Sequence, residues 1–238
     1  MPRPSRREEP GALHHVVAKS PSRRLLFNDD GERQRYLQLL AGEIRIREWR
    51  LLTFCLLSNH LHLLIQTPQP DLGAGMKVVH ETFARRTNHT RREGGSLFGA
   101  RFYSTIVRND RHALGCLRYI ARNPVEAFIC PHARDWPWSA HRALAGICEA
   151  PSFLDLGAAY DHLGRNANDA RANYVRLVAM SNSELLADLA QPHSDQWLVD
   201  ARKDFAIPLE DLMAYLRLGR SATYERLSAV RRTVESVP

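Results

Sequence analysis

Ser58-Asn59-His60-Leu61-His62-Leu63-Leu64-Ile65-Gln66 is the stretch on which the reading of the chain turns. It is apolar, free of Gly and Pro, and entered through a turn-forming Ser-Asn pair, which predicts a β-strand. Side chains i and i+2 of a strand share a face. His60 and His62 therefore present two imidazoles on one side, with Leu61 and Leu63 on the other. Two imidazoles one pleat apart are half of a metal site. With 11 histidines in 238 residues, such a spacing also arises readily by chance. Its weight comes from the apolar strand around it and from a partner farther along the chain.

Working outward, residues 49–57 are almost continuously apolar and suit a central strand buried on both faces. Ser58-Asn59 is too short for anything but a hairpin into the histidine strand. Upstream, residues 13–19 predict a first strand, and Asn28-Asp29-Asp30 predict the N-cap of a helix over 31–47, with Tyr36, Leu37, Leu40 and Ile44 at helical spacing. Downstream, Thr67-Pro68-Gln69-Pro70 closes the strand and Asp71 is placed to cap a helix over 72–92. Residues 102–108 predict a fourth strand. The order β-α-β-β-α-β is that of an α+β, ferredoxin-like fold: a four-stranded antiparallel sheet with helices on one face. A helix over 110–122 follows, which Pro124 stops or kinks. Pro137-Trp138-Ser139 opens a short last helix of this unit. Beyond 148 the pattern is mostly helical: 155–163, 168–180, 183–190, 209–218 and 222–235. A helical hairpin, a helix-turn-helix over 207–235 or a plain packing appendage fits the last two segments.

Hydrophobic content of 44% and charged content of 25% are those of an ordinary globular protein. No apolar run reaches the roughly 18–20 residues a membrane span needs. Residues 1–9 are a flexible basic arm without the apolar core of a secretory signal. Cys55, Cys116, Cys130 and Cys148 form no C-x-x-C, which argues against a disulfide framework and for a reducing compartment. The net charge is +7 and the pI about 9.6. Most of the basic residues are arginines, suited to bidentate phosphate contacts, so nucleic acid is the favoured partner.

Tyr119 and Asn123 are four residues apart on the helix that precedes Pro124, and so share a face. If that helix packs against the histidine strand, Asn123 supplies an amide oxygen as third ligand beside His60 and His62. The Tyr119 phenol then lies within reach of a phosphate held there. A phenol with a pKa near 10 is a weak nucleophile unless its target is activated, which a divalent ion on a phosphate does.

Several stretches in order carry a family resemblance: Pro10-Gly11-Ala12-Leu13-His14-His15-Val16, Phe27-Asn28-Asp29-Asp30, Ser58 to Leu64, Phe98-Gly99-Ala100-Arg101-Phe102, Arg118-Tyr119-Ile120-Ala121-Arg122-Asn123-Pro124-Val125-Glu126-Ala127 and Trp136-Pro137-Trp138-Ser139. This set resembles the HUH single-tyrosine transposases, in their REP-associated branch, over residues 10–148. The resemblance implies an endonuclease and strand transferase that cleaves and rejoins single-stranded DNA, with hairpin REP-type sequences as substrate. It implies Tyr119 as the nucleophile that becomes 5′-phosphotyrosyl, His60, His62 and Asn123 as metal ligands, and Mg²⁺ or Mn²⁺ as cofactor. It further implies a bacterial, cytoplasmic, nucleoid-associated protein, monomeric in preference to a homodimer. Family members commonly carry Tyr, Pro, His and Gly where this chain has His14, Ser58, Ala121 and Phe128. Arg85, Arg86, Arg91, Arg92, Arg101 and Arg108 are candidate phosphate contacts, with Tyr103 and Trp138 as candidate base-stacking aromatics. Two rivals stand beside this: a catalytically retired hairpin-binding regulator, and a ferredoxin-like RNA-binding domain, which would show aromatics where this sheet shows histidines. The role of residues 149–238 is not covered by the motifs.

Overall fold

A computed structural model describes residues 8–21, 24–190, 201–205 and 207–235, with side chains of the last helix described to Val230. Most of the N-terminal arm lies outside these residues. The strands are β1 (Leu13–Lys19), β2 (Arg50–Leu56), β3 (His60–Gln66) and β4 (Tyr103–Val107), and the first three helices are α1 (Asp30–Arg47), α2 (Leu72–Arg91) and α3 (Asp110–Glu126). The sheet order is β2-β3-β1-β4, antiparallel throughout. This is the expected ferredoxin-like arrangement.

Local chemistry explains the helix starts. Asp29 caps α1 by accepting from the Glu32 N–H at 2.8 Å, and the Glu32 carboxylate accepts from the Asn28 N–H at 2.7 Å. Asn109 caps α3 through the His112 N–H. Asp71 begins α2 but makes no capping bond; Trp49 Nε1 and Arg47 take its carboxylate at 2.8 and 2.9 Å. The competing partners are an indole N–H and a guanidinium, and charge-assisted bonds outweigh a backbone contact.

Both faces of the sheet are covered. Phe54 pairs with Leu63, and α1 supplies Leu37 beside Phe54, so α1, with α2 packed against it, covers the Leu61, Leu63 and Ile65 face. The histidine face receives α3. This second cover is why β2 is buried from Leu51 to Leu56. The outer edge of β2 is also occupied: the Leu56 N–H donates to the Trp138 carbonyl at 2.8 Å, the Ala140 N–H to Phe54 at 3.0 Å, and the Asp155 N–H to Leu51 at 2.9 Å.

α3 runs through Pro124 to Glu126, four residues past the predicted stop at 122. Proline inside a helix loses one backbone hydrogen bond and crowds the carbonyl one turn back; burial of Asn123 and Pro124 offsets that cost here. The chain leaves α3 through Phe128, whose φ of 56° lies in the left-handed region and whose side chain is 97% exposed. A bulky side chain gains nothing there and strains the backbone. Phe128→Gly is expected to raise unfolding free energy by about 1 kcal/mol, measured as a higher urea midpoint; an equal or lower midpoint refutes it.

Short helices α4 (His141–Leu144) and α5 (Leu156–Tyr160) and the longer α6 (Ala167–Ala179) add to the same core, which includes Leu154, Tyr160, Tyr174 and Val178. Helices α7 (Asn182–Leu189), α8 (Leu209–Leu216) and α9 (Arg220–Glu235) surround a second, smaller core of Leu185, Leu186, Phe205, Ile207, Leu212 and Leu227. Packing thus divides the described chain near residue 180, well past the limit of the motifs. Among the described residues no helix is long and apolar enough to cross a membrane.

Buried His141 holds its Nδ1 at 3.0 Å from the Tyr174 hydroxyl, and burial lowers its pKa to about 4. Unfolded, it titrates near 6.5, so between pH 6.5 and 4 the unfolded chain binds more protons. Stability is complete above 6.5 and falls on acidification by about 1.4 kcal/mol per pH unit for this residue. Burial lowers the pKa of His14 and His112 too, with the same sign. The urea midpoint is expected to be lower at pH 5 than at pH 7.5, and His141→Asn to flatten that difference; a pH-independent midpoint refutes it.

Candidate active site

β-Sheet register and one helix assemble the site. β3 pairs with β1 so that Lys19 faces His60 and Val17 faces His62, and β1 pairs with β4 so that Val17 also faces Tyr103. Partners across a ladder share a face, so His15, Val17, Lys19, His60, His62 and Tyr103 lie on one side. α3 crosses that side. His60 Nε2 and Asn123 Oδ1 are 3.0 Å apart. The Tyr119 ring stands perpendicular to the His62 ring, with centroids 5.2 Å apart, and 5.9 Å from that of His15. Asn123 also lies close enough to Tyr119 to oppose the rise of its phenol pKa. All four predicted residues, Tyr119, His60, His62 and Asn123, are therefore brought together, with Asn123 as the link.

Two features of the donor set fit a cation. His60 Nδ1 faces the Asn59 side-chain oxygen at 2.7 Å and its Nε2 faces that of Asn123. A neutral imidazole has one proton for these two acceptors, and burial lowers the His60 pKa, so protonation is disfavoured. When the proton is on Nδ1, the Nε2 lone pair meets the Asn123 oxygen, and a cation is what that pairing accommodates. His62 is the second feature. It is 2% exposed; its Nδ1 lies 3.1 Å from His15 Nε2, and its own Nε2 is buried without a hydrogen-bond partner. Burial, then the neighbouring His15 and His60, hold the His62 pKa well below 6.5, so the ring is neutral. When Nδ1–H donates to His15, the free lone pair sits on the orphaned Nε2. Among the described residues no group of three or more His, Cys, Asp or Glu side chains is arranged to hold a metal; the third donor beside the two imidazoles is an amide.

Tyr119 is a neutral phenol. Burial raises its pKa, and the Asn123 contact opposes that rise. The amide that meets His60 is thus also a neighbour of the Tyr119 phenol.

The arginines fare differently. Arg85, Arg86 and Arg92 are exposed at the end of α2, which covers the opposite sheet face, and Arg101 and Arg108 are exposed on either side of β4. Arg91 is not free for phosphate: its Nε donates to Glu32 at 2.8 Å and its Nη1 to the Leu25 carbonyl at 3.0 Å, with the side chain 7% exposed. It ties the end of α2 to the start of α1. Trp138 pairs its backbone with β2 and packs near the Arg33 guanidinium, so it closes the sheet edge. Tyr103, by contrast, is 67% exposed on the histidine face.

Two residues of the site had no predicted role. His15 orients His62, and Lys19 lies close enough to lower the pKa of both strand histidines through its charge. The i, i+2, i+4 spacing of His15, Val17 and Lys19 was visible, but their meeting with β3 depends on register, which the spacing does not contain.

The back of α3 is held as well. Arg118 Nη2 donates to the Met180 carbonyl and to Asn182 Oδ1, each at 2.8 Å, and Arg122 donates to the Val178 carbonyl at 3.1 Å. Asn182 in turn donates to Asp211 of α8 at 2.7 Å. Gly115 lies directly against the backbone of Asp204. The tyrosine helix is thus clamped between the sheet and the C-terminal helices.

Residues 11–123 match the family model "Transposase IS200 like". A putative REP-associated tyrosine transposase of Haemophilus influenzae is 31% identical over 101 residues, 37% of this chain. The match spans 57% of that relative's length. A solved structure of a REP-associated tyrosine transposase bound to a REP hairpin superposes with a TM-score of 0.53 at 21% identity, covering 65% of this chain and 94% of that one. Residues 11–123, which hold the four strands, α1, α2 and most of α3, are thus similar to the IS200-like transposases, and the likeness to the REP-associated branch is seen in sequence and in fold.

Proposed function

We propose that this protein binds folded single-stranded DNA, hairpins with single-stranded flanks above all, and cuts and rejoins it through Tyr119. The observation that carries the proposal is the meeting of Tyr119, Asn123, His60 and His62 at one point, with a neutral phenol beside the same amide that faces the histidine. His60, His62 and Asn123 are the residues that would hold Mg²⁺ or Mn²⁺, and two imidazoles favour Mn²⁺. Bound there, the ion supplies the charge that polarises a scissile phosphate.

The chain's own residues do the rest. The Tyr119 oxygen attacks phosphorus and gives up its proton. The bond from phosphorus to the 3′ oxygen breaks, and that oxygen leaves as a hydroxyl after taking up a proton. The DNA 5′ end stays on Tyr119 as a phosphodiester, so a second 3′ hydroxyl can reverse the step without ATP. His15 keeps His62 in the required tautomer, Lys19 attracts the backbone, and Tyr103 offers an exposed ring to an unpaired base. Tyr119 and the histidines come from one chain, so a monomer is complete, working on cytoplasmic, nucleoid DNA.

The test uses a labelled hairpin oligonucleotide with flanking single strands. Wild-type protein is expected to form a covalent adduct that survives denaturing electrophoresis in Mn²⁺, and none after EDTA. Tight hairpin binding with no adduct in any divalent ion overturns the nuclease reading and leaves a retired regulator.

A further inference from the structure

We propose that residues 207–235 are a helix-turn-helix that binds duplex DNA, a second nucleic-acid site separate from the tyrosine centre. Three helical segments succeed one another here: a helical turn at 201–203, α8 and α9, with Arg217, Leu218 and Gly219 alone between the last two. That reversal is well defined. Arg217 takes a left-handed φ of 54°, and its N–H donates to the Ala214 and Met213 carbonyls. The Leu218 N–H donates to Met213 at 3.1 Å. The Thr223 N–H and hydroxyl both donate to the Gly219 carbonyl at 3.0 Å, which starts α9. A Schellman-type end followed at once by the first bonded turn of α9 fixes the two helices relative to each other.

Burial then separates the faces of α9. Thr223, Leu227 and Val230 point inward at helical spacing against Leu212 of α8 and the small core. Arg220, Ser221, Tyr224 and Ser228 lie on the exposed side, with Tyr224 51% exposed. Arg217 stands exposed at the turn. Arg220 pairs with Glu210 at 3.3 Å, but both side chains are about two-thirds exposed, and such pairs are worth little. Phosphate can replace the carboxylate.

The chemistry of this face selects the partner. An α-helix of about 10–12 Å diameter fits the major groove. Arginine and tyrosine near its start, with small hydroxyl residues between, can contact phosphate and base edges together. An apolar face would suit a protein partner; this one is polar and net positive, with exposed Arg217, Arg220 and Arg226 against Glu210 and Glu225, on a chain of net charge +7. It also falls outside residues 11–123, so the family match does not account for it. The unit is tied to the tyrosine helix through Asp211, Asn182 and Arg118, so duplex held by α9 keeps a fixed relation to the strand at Tyr119.

The experiment measures fluorescence anisotropy of the full-length protein on a labelled duplex with a randomised core, across a range of NaCl. Arg220→Glu with Tyr224→Ala is expected to weaken duplex binding at least about tenfold and to flatten its salt dependence. Ser228→Glu, which adds charge to the same face, is expected to act in the same direction. Both variants should keep the wild-type circular-dichroism melt and hairpin adduct yield. Unchanged duplex affinity in the folded variants, or no duplex binding by the wild type, overturns the proposal; the second result would leave the face to a protein partner. Neither outcome depends on whether Tyr119 cuts.

Discussion

Tyr119→Phe is expected to abolish the covalent protein–DNA adduct while leaving hairpin binding within about twofold. The substitution removes one oxygen. The ring stays and keeps its perpendicular contact with His62 and its place beside His15, so packing changes little. The lost contact with Asn123 is a neutral polar one, worth about 1 kcal/mol at most. The nucleophile has no substitute: a phenylalanine ring cannot bond phosphorus, so adduct yield should fall below detection, more than about a thousandfold. Denaturing electrophoresis reads the adduct and a native gel reads binding. A variant that still formed the adduct would remove Tyr119 from the reaction, and one that lost binding as well would mean that the phenol serves to hold DNA.

Gly115→Ala should unfasten the C-terminal region. In an ordinary helix interior this change stabilises by about 1 kcal/mol. Here the new Cβ would lie 1.6 Å from the Asp204 carbonyl oxygen and 2.3 Å from its carbon. Both are backbone atoms, which cannot rotate away. Either α3 shifts on the sheet or the 201–205 segment lifts off, and overpacking of this kind costs about 1–3 kcal/mol. The sign should therefore invert: lower stability, faster hydrogen exchange in α8 and α9, and new protease sites between α7 and α8. Adduct formation should also drop, because Arg118 and its partners on 180–182 hold the tyrosine helix from behind. A melt equal to or above wild type, with unchanged exchange, would show that Gly115 is not a contact point.

Much of this was legible from local pattern. The strand around His60 and His62, the caps at Asp29 and Asn109 and the four-residue spacing of Tyr119 and Asn123 all obey short-range rules, since pleat and helical periodicity need only neighbours in sequence. Two local readings failed where a tertiary partner won. Asp71 gives its carboxylate to Trp49 and Arg47 instead of a cap. Pro124 does not end α3, because burial of Asn123 and Pro124 supports the extra turn. Among the arginines, type and position were evident, yet only the fold reveals that Arg91 is spent on Glu32.

What the sequence by itself determined is the set of parts: the β-α-β-β-α-β order, two imidazoles on one strand face, a tyrosine and an asparagine on one helix face, and a basic chain suited to DNA. What only the tertiary structure decided is their meeting. The β1–β3 register brings His15 against His62 and Lys19 beside His60, the placement of α3 sets Asn123 between phenol and imidazole, and the C-terminal helices lock α3 from behind. The physical reason is range. Periodicity places a side chain on its own element through bonds to near neighbours, whereas the distance between elements is set by how their buried faces interlock, and no single segment carries that information.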